Sequence, residues 1–176
     1  MFGFGGGVKF TKEGVEVKRR GIKIEISKVK RQERISTGNS FLDIFLNTLS
    51  SSLPLSIRIS SERPESLLED SGFAIGLGLK KLLEKGGSKS ASYIHSDGKR
   101  MCMFSLETSG DLRGSGIEVI GRPRDFEPKD LFVFFDYLSQ GMDAEIRGVI
   151  NLGKGNKGLE FISEAFGFVL KRIFEL

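Results

Sequence analysis

The stretch PESLLEDSGFAIGLGLKKLLEK, Pro64 to Lys85, has a cousin at the end of the chain, LEFISEAFGFVLKRIFEL, Leu159 to Leu176. Both read as helices. In the first, Pro64 suits the opening turn and Glu65, Glu69 and Asp70 favour the positive end. Lys80 and Lys81 favour the negative end, and Gly86-Gly87 stops the helix. Aligned, Glu69 falls on Glu164 and Gly72-Phe73 on Gly167-Phe168. A mid-helix glycine costs about 1 kcal/mol relative to alanine. Its recurrence at one register predicts close packing of these helices, against a sheet or each other. The repetition predicts an internal duplication.

The segments leading into each helix support that reading. Alternation predicts strands at Val15–Lys18 and at Ile22–Ile26, where Ile22, Ile24 and Ile26 share a face. Ser36-Thr-Gly-Asn-Ser40 offers N-caps to a helix carrying Phe41, Leu42, Phe45, Leu46 and Leu49. Pro54 breaks it, and Leu55–Ser60 alternates as a strand. A second pass gives strands at Ala91–Ile94, Met101–Glu107 and Ile117–Ile120, then a helix from Pro128 to Gly141. A strand at Ala144–Asn151 and the turn GKGNKG lead into the last helix. Each half thus runs strands, helix, strand, polar turn, helix.

Composition narrows the function. The 176 residues are 39% hydrophobic and 28% charged, which predicts a soluble globular chain with no apolar run of membrane-spanning length. The opening MFGFGGG lacks the cationic flank of a signal peptide, and residues 1–7 are read as a flexible end. A single cysteine, Cys102, excludes an internal disulfide and fits the cytoplasm. The single histidine, His95, leaves no Cys/His zinc site within one chain. Beside Ser96, Asp97 and Gly98 it is expected in a solvated turn. Basic residues between Lys18 and Arg34 form a candidate nucleic-acid patch, although no aromatic side chains interleave with them.

Three motifs in order resemble the imidazoleglycerol-phosphate dehydratase family, from Val15 to the C-terminus. STGNSFLDIFLNTL is similar to its threonine-glycine-x-x-phenylalanine-leucine-aspartate-histidine-methionine box. SLLEDSGFAIGLGL and ISEAFGFVLKRI are similar to its two helices that begin with paired histidines. The resemblance implies an α+β fold of duplicated half-domains, residues 8–90 and 91–176, forming one unit. Each half would be a four-stranded sheet backed by two helices, a fold type shared with ribosomal and RNA-handling proteins. It also implies trimers, joined into larger shells by manganese held between subunits. The family's chemistry is loss of water from a sugar-phosphate tail beside an imidazole, in histidine biosynthesis.

The residues that carry this chemistry in the family are replaced. Thr37, Gly38, Phe41, Leu42 and Asp43 match the first box, but Ile44 stands at its histidine. Glu69, Asp70 and Gly72 match the first helix, with Glu65 and Ser66 at its two histidines. Glu164 and Ala165 match the last helix, with Glu160 and Phe161 at its pair. Phe168 replaces a phosphate-binding lysine, and Arg19 an early strand glutamate. Ser109-Gly110-Asp111-Leu112 replaces serine-glycine-arginine-proline, and a further family acid aligns with Asp97 to Lys99. Retained positions make turns and caps; lost ones bind metal or phosphate. No catalytic residue and no manganese are therefore expected, and Glu69 and Glu164 are read as helix-end carboxylates. Three functions stay in contention. The favoured one is a non-catalytic oligomeric scaffold or binding protein, most simply a homotrimer. The others are a lyase with a carboxylate-only metal site and a nucleic-acid-binding module acting through Lys18–Arg34.

Overall fold

Ile22, Ile24 and Ile26 are buried side by side, as their alternation predicts, on the inner face of a four-stranded sheet. The computed structural model describes residues 7–31, 33–62, 65–83, 89–108 and 114–176. Of the expected flexible end, residues 1–7, only Gly7 is described and it is in a strand; residues 1–6, the helix stop at Gly86-Gly87 and Ser109–Leu112 lie outside them.

The first half contains β1 (Gly7–Phe10), β2 (Gly14–Arg19), β3 (Ile22–Ser27), α1 (Ser40–Ser52), β4 (Ser56–Ser61) and α2 (Leu67–Leu83). The second contains β5 (Ser90–Ser96), β6 (Met101–Glu107), β7 (Gly114–Arg122), α3 (Pro128–Met142), β8 (Glu145–Lys154) and α4 (Leu159–Phe174). Each half builds a four-stranded sheet, in the orders β1-β2-β3-β4 and β5-β6-β8-β7. The expected α+β class with duplicated halves is what the chain adopts.

The two sheets reach four strands by different routes. β3 and β4 pair antiparallel, as do β6 and β8, so β2-β3-β4 corresponds to β5-β6-β8. Beside β8 lies parallel β7; beside β4 lie Val29 to Arg31, which form no ladder. They are pinned instead by Ser56, whose hydroxyl donates to Val29 O and accepts from Arg31 N. The missing fourth strand is supplied from the other edge by β1, which alternation did not reveal.

Helices exchange partners between the halves. α2 lies on β2 and β3 but packs most closely on α3, and α4 lies on β5 and β6 but packs on α1. Gly72 makes this possible, since a Cβ there would sit 2.7 Å from Phe134 O. Gly167 faces Ser52 and Leu49 of α1. The recurring glycines thus mark close helix contact, each against the first helix of the other half. Phe45 of α1 meets Phe134 and Phe135 of α3 at ring-centroid distances of 5.1 and 5.7 Å, and Phe104 and Phe166 extend the cluster. One core therefore spans both halves.

Cys102 on β6 lies within it. Burial pushes its thiol up to about 12, so at neutral pH no thiolate is present to react. A disulfide reagent is expected to label Cys102 only after denaturation. Rapid labelling of the native protein would contradict this packing.

Candidate functional site

The retained first box turns out to be a helix cap. Asn39 accepts the amide of Leu42 at 3.1 Å, and Asp43 accepts both the amide and the hydroxyl of Thr37, at 2.6 and 2.7 Å. Gly38 between them adopts φ +83°, which glycine takes without strain. Ile44, at the family's histidine, packs partly against the core.

Two places correspond under the internal repeat. In the first half, Arg19 leaves the end of β2 and crosses to α2. Its Nε donates to Asp70 at 2.8 Å, and its guanidinium lies 3.9 Å over the ring of Phe73. Asp70 is almost wholly buried, whereas Arg19 keeps some exposure. Glu69 and Asp70 occupy the first turn of α2, as expected for helix-start acids. Glu65 and Ser66 lie exposed just before it, and Ser66 adopts φ 58° with its carbonyl accepting the amide of Asp70. With Arg20, Gly21, Glu62 and Asp70 they line an open groove of about 510 Å³.

In the second half, His95 takes the place of Arg19. It is not in a turn: β5 continues to Ser96, and its alternation turns Ala91, Tyr93 and His95 toward α4. His95 Nε2 lies 3.5 Å from Glu164 Oε2, and its ring stacks 4.4 Å from that of Phe161. Tyr93 stacks on Phe168 at 4.7 Å, and Arg100 covers Phe161. Glu160 is the acid in the first turn of α4; Glu164 sits a turn later, facing His95 rather than the helix end. Asp97, near the further family acid, accepts from Arg100 and from the amides of Lys99 and Arg100. These contacts hold its carboxyl down at about 2.

Among the described residues, no three His, Cys, Asp or Glu side chains are grouped as metal ligands. Glu65 and Glu69 belong to the first half, and Glu160 and Glu164 to the second. The basic run from Lys18 to Arg34 is partly neutralised: Lys18 and Lys23 pair with Glu16, Arg19 with Asp70, and Arg31 with Glu13. Lys30 instead caps α1, donating to Leu53 O at 2.8 Å, and burial lowers its pKa. Glu16 lies on β2 with Lys18 and reaches Lys23 on the neighbouring strand, Glu13 lies in the turn before β2, and Asp70 comes from a distant helix.

The architecture and these two places can be set against solved structures. Imidazoleglycerol-phosphate dehydratase from Staphylococcus aureus subsp. aureus N315 superposes with a TM-score of 0.76 at 19% identity, covering 90% of this chain and 96% of that one. The fold is that of imidazoleglycerol-phosphate dehydratase. IGPD from Pyrococcus furiosus matches with a TM-score of 0.71 at 22% identity, over 96% of this chain and 93% of that one. No family model and no curated protein matches the chain. The dehydratase fold thus extends over both halves.

Proposed function

We propose that the chain is a non-catalytic, homo-oligomeric scaffold or binding protein of the cytoplasm, built on the dehydratase fold. The observation that carries this reading is the pairing of Arg19 with Asp70, beside Glu69. A guanidinium fixed there repels a second cation and uses up an adjacent carboxylate. Around Glu164 stand a single imidazole and aromatic rings, which are too few donors for an octahedral divalent ion. The residues of one chain do not fit manganese. Without a metal, nothing here would polarise an imidazole ring for proton removal. Turnover of imidazoleglycerol phosphate with added manganese is expected to stay at the no-protein background. Measurable dehydration would overturn the proposal.

A self-association surface supports the oligomer. The outer face of the first sheet is covered by ion pairs among Glu16, Lys18, Lys23, Glu25 and Arg58. The outer face of the second sheet instead exposes Ile94 (60%), Ile120 (45%), Met103 (41%) and Met101 (39%). Ile94 and Met103 are cross-strand partners with Val149 next in line, and Met101 and Ile120 flank Asn151. Four strands of about seven residues make a plane of roughly 19 by 24 Å. That plane is about 460 Å², a little over half of the roughly 800 Å² per partner of a standard interface. A neighbouring copy of this chain, in a trimer, is the occupant proposed. Light scattering is expected to give a trimer whose mass is insensitive to chelator, and Ile94→Glu with Met103→Glu is expected to give folded monomer. A monomeric parent, or a variant of unchanged mass, would contradict this assignment.

A further inference from the structure

The loop GKGNKG, residues 153–158, joins β8 to α4 in a strand–glycine loop–helix arrangement that often cradles a phosphate. Here that cradle is filled from within. Asp125 accepts the amides of Gly158 at 2.9 Å and Leu159 at 3.0 Å, so its carboxylate occupies the anion position at the start of α4. A small phosphate is thereby excluded from the helix end. The cations around the loop have no such internal partner.

Lys99, Arg100, Arg122, Arg124, Lys154 and Lys157 are gathered at this end by the backbone. Arg122 lies opposite Lys154 in the β7–β8 ladder. The bulge at Gly121, with φ +97°, sets that register, since a Cβ there would lie 2.3 Å from Gly153 O. Arg124 N donates to Asn156 O, and Arg100 holds Lys157 O at 2.9 Å. The carbonyl of Lys99 lies against Gly153. All but Arg100 are exposed, and those five make no ion pair among the described residues. Of the nearby acids, Asp97 is held by Arg100 and Asp125 by the helix amides, while Glu127 and Glu160 form the border. Set against Asp97 and Asp125, the six cations leave an excess of four. That equals the net charge of the whole chain, +4. Over the rest of the chain the charges sum to zero, and half of the cations of the Lys18–Arg34 run are held in ion pairs.

We infer that this end binds the phosphodiester backbone of a nucleic acid. The cations cross the sheet from the β5–β6 turn over β8 to β7, which is three strand spacings or about 14 Å. One strand of nucleic acid carries a phosphate every 3.4 Å or so of helix axis, so three or four phosphates fit the row. The exposed apolar side chains nearest the row, Met101 and Ile120, belong to the flat sheet face assigned above to a second copy, which leaves the row itself purely cationic, as a phosphodiester backbone requires. The inference goes beyond the non-catalytic reading and does not depend on it.

The test is fluorescence anisotropy of labelled RNA and DNA strands, and of a labelled duplex, titrated with the full-length protein across a salt series. Binding at low salt is expected, with a slope of log K against log salt of about −2 to −3 for single strands. Arg122→Glu with Lys154→Glu is expected to weaken it tenfold or more and to make the slope shallower by more than one, with unchanged circular dichroism. Arg31→Glu, at a cation paired with Glu13 in the other half, is expected to leave binding unchanged. The inference is overturned by absent or salt-insensitive binding, by equal loss in Arg31→Glu, or by binding to anionic vesicles and not to nucleic acid.

Discussion

Gly76→Val is expected to cost the protein about 3 kcal/mol or more, lowering Tm by roughly 6–12 °C. A Cβ at Gly76 would lie 2.3 Å from Leu138 O and 2.8 Å from Met142 N. Both atoms are backbone, so no rotamer change relieves the clash and α2 must move away from α3. The contact is reciprocal, since a Cβ at Gly141 would sit 2.1 Å from Phe73 O. Separation would open the Phe45–Phe134–Phe135 cluster beneath, adding cavity cost to strain. Gly78, half a turn away, provides the control. There an added methyl meets only side-chain atoms, the flexible tip of Ile26 at 2.9 Å and Val17 at 3.5 Å, and Gly78→Ala is expected to stay within about 1 kcal/mol of the parent. Thermal unfolding followed by circular dichroism measures both. Equal stability of Gly76→Val and the parent would refute the proposed helix contact.

Arg19→Met is expected to destabilise by about 2–4 kcal/mol. It leaves the buried carboxylate of Asp70 without its cation and removes the guanidinium from the face of Phe73. The lower part of that range reflects the residual exposure of Arg19, which softens the loss. Arg19→Met combined with Asp70→Leu is expected to recover most of the stability, because a matched apolar pair removes the orphaned charge. If Arg19→Met unfolds at the parent's denaturant midpoint, the ion pair does not hold β2 to α2, and the structural reading of this place fails.

Local patterns made most of the fold legible. The alternation of Ile22, Ile24 and Ile26 and the helical spacing from Phe41 to Leu49 announce elements that the structure contains. β1 escaped because four residues, GVKF, with one partly buried position among exposed ones, carry almost no periodic signal. His95 reads as a turn residue because Ser96, Asp97 and Gly98 stand beside it, yet β5 runs on to Ser96 and the turn begins only after it. Gly72 and Gly167 signalled close approach but could not say to what, since the partner helices are chosen by tertiary packing between the halves. The Arg19–Asp70 pair spans 51 residues, and Glu16 reaches Lys23 only through the β2–β3 pairing. The cationic end was hidden for the same reason: its six members come from three separate loops.

A guanidinium has settled between β2 and α2, in a scaffold whose look-alikes are dehydratases. Manganese retention measures the consequence most directly: incubate the oligomer with the ion, pass it through a desalting column, and count metal per chain by mass spectrometry. The account predicts far less than one ion per chain. Stoichiometric manganese surviving the column, released only by chelator, would contradict it.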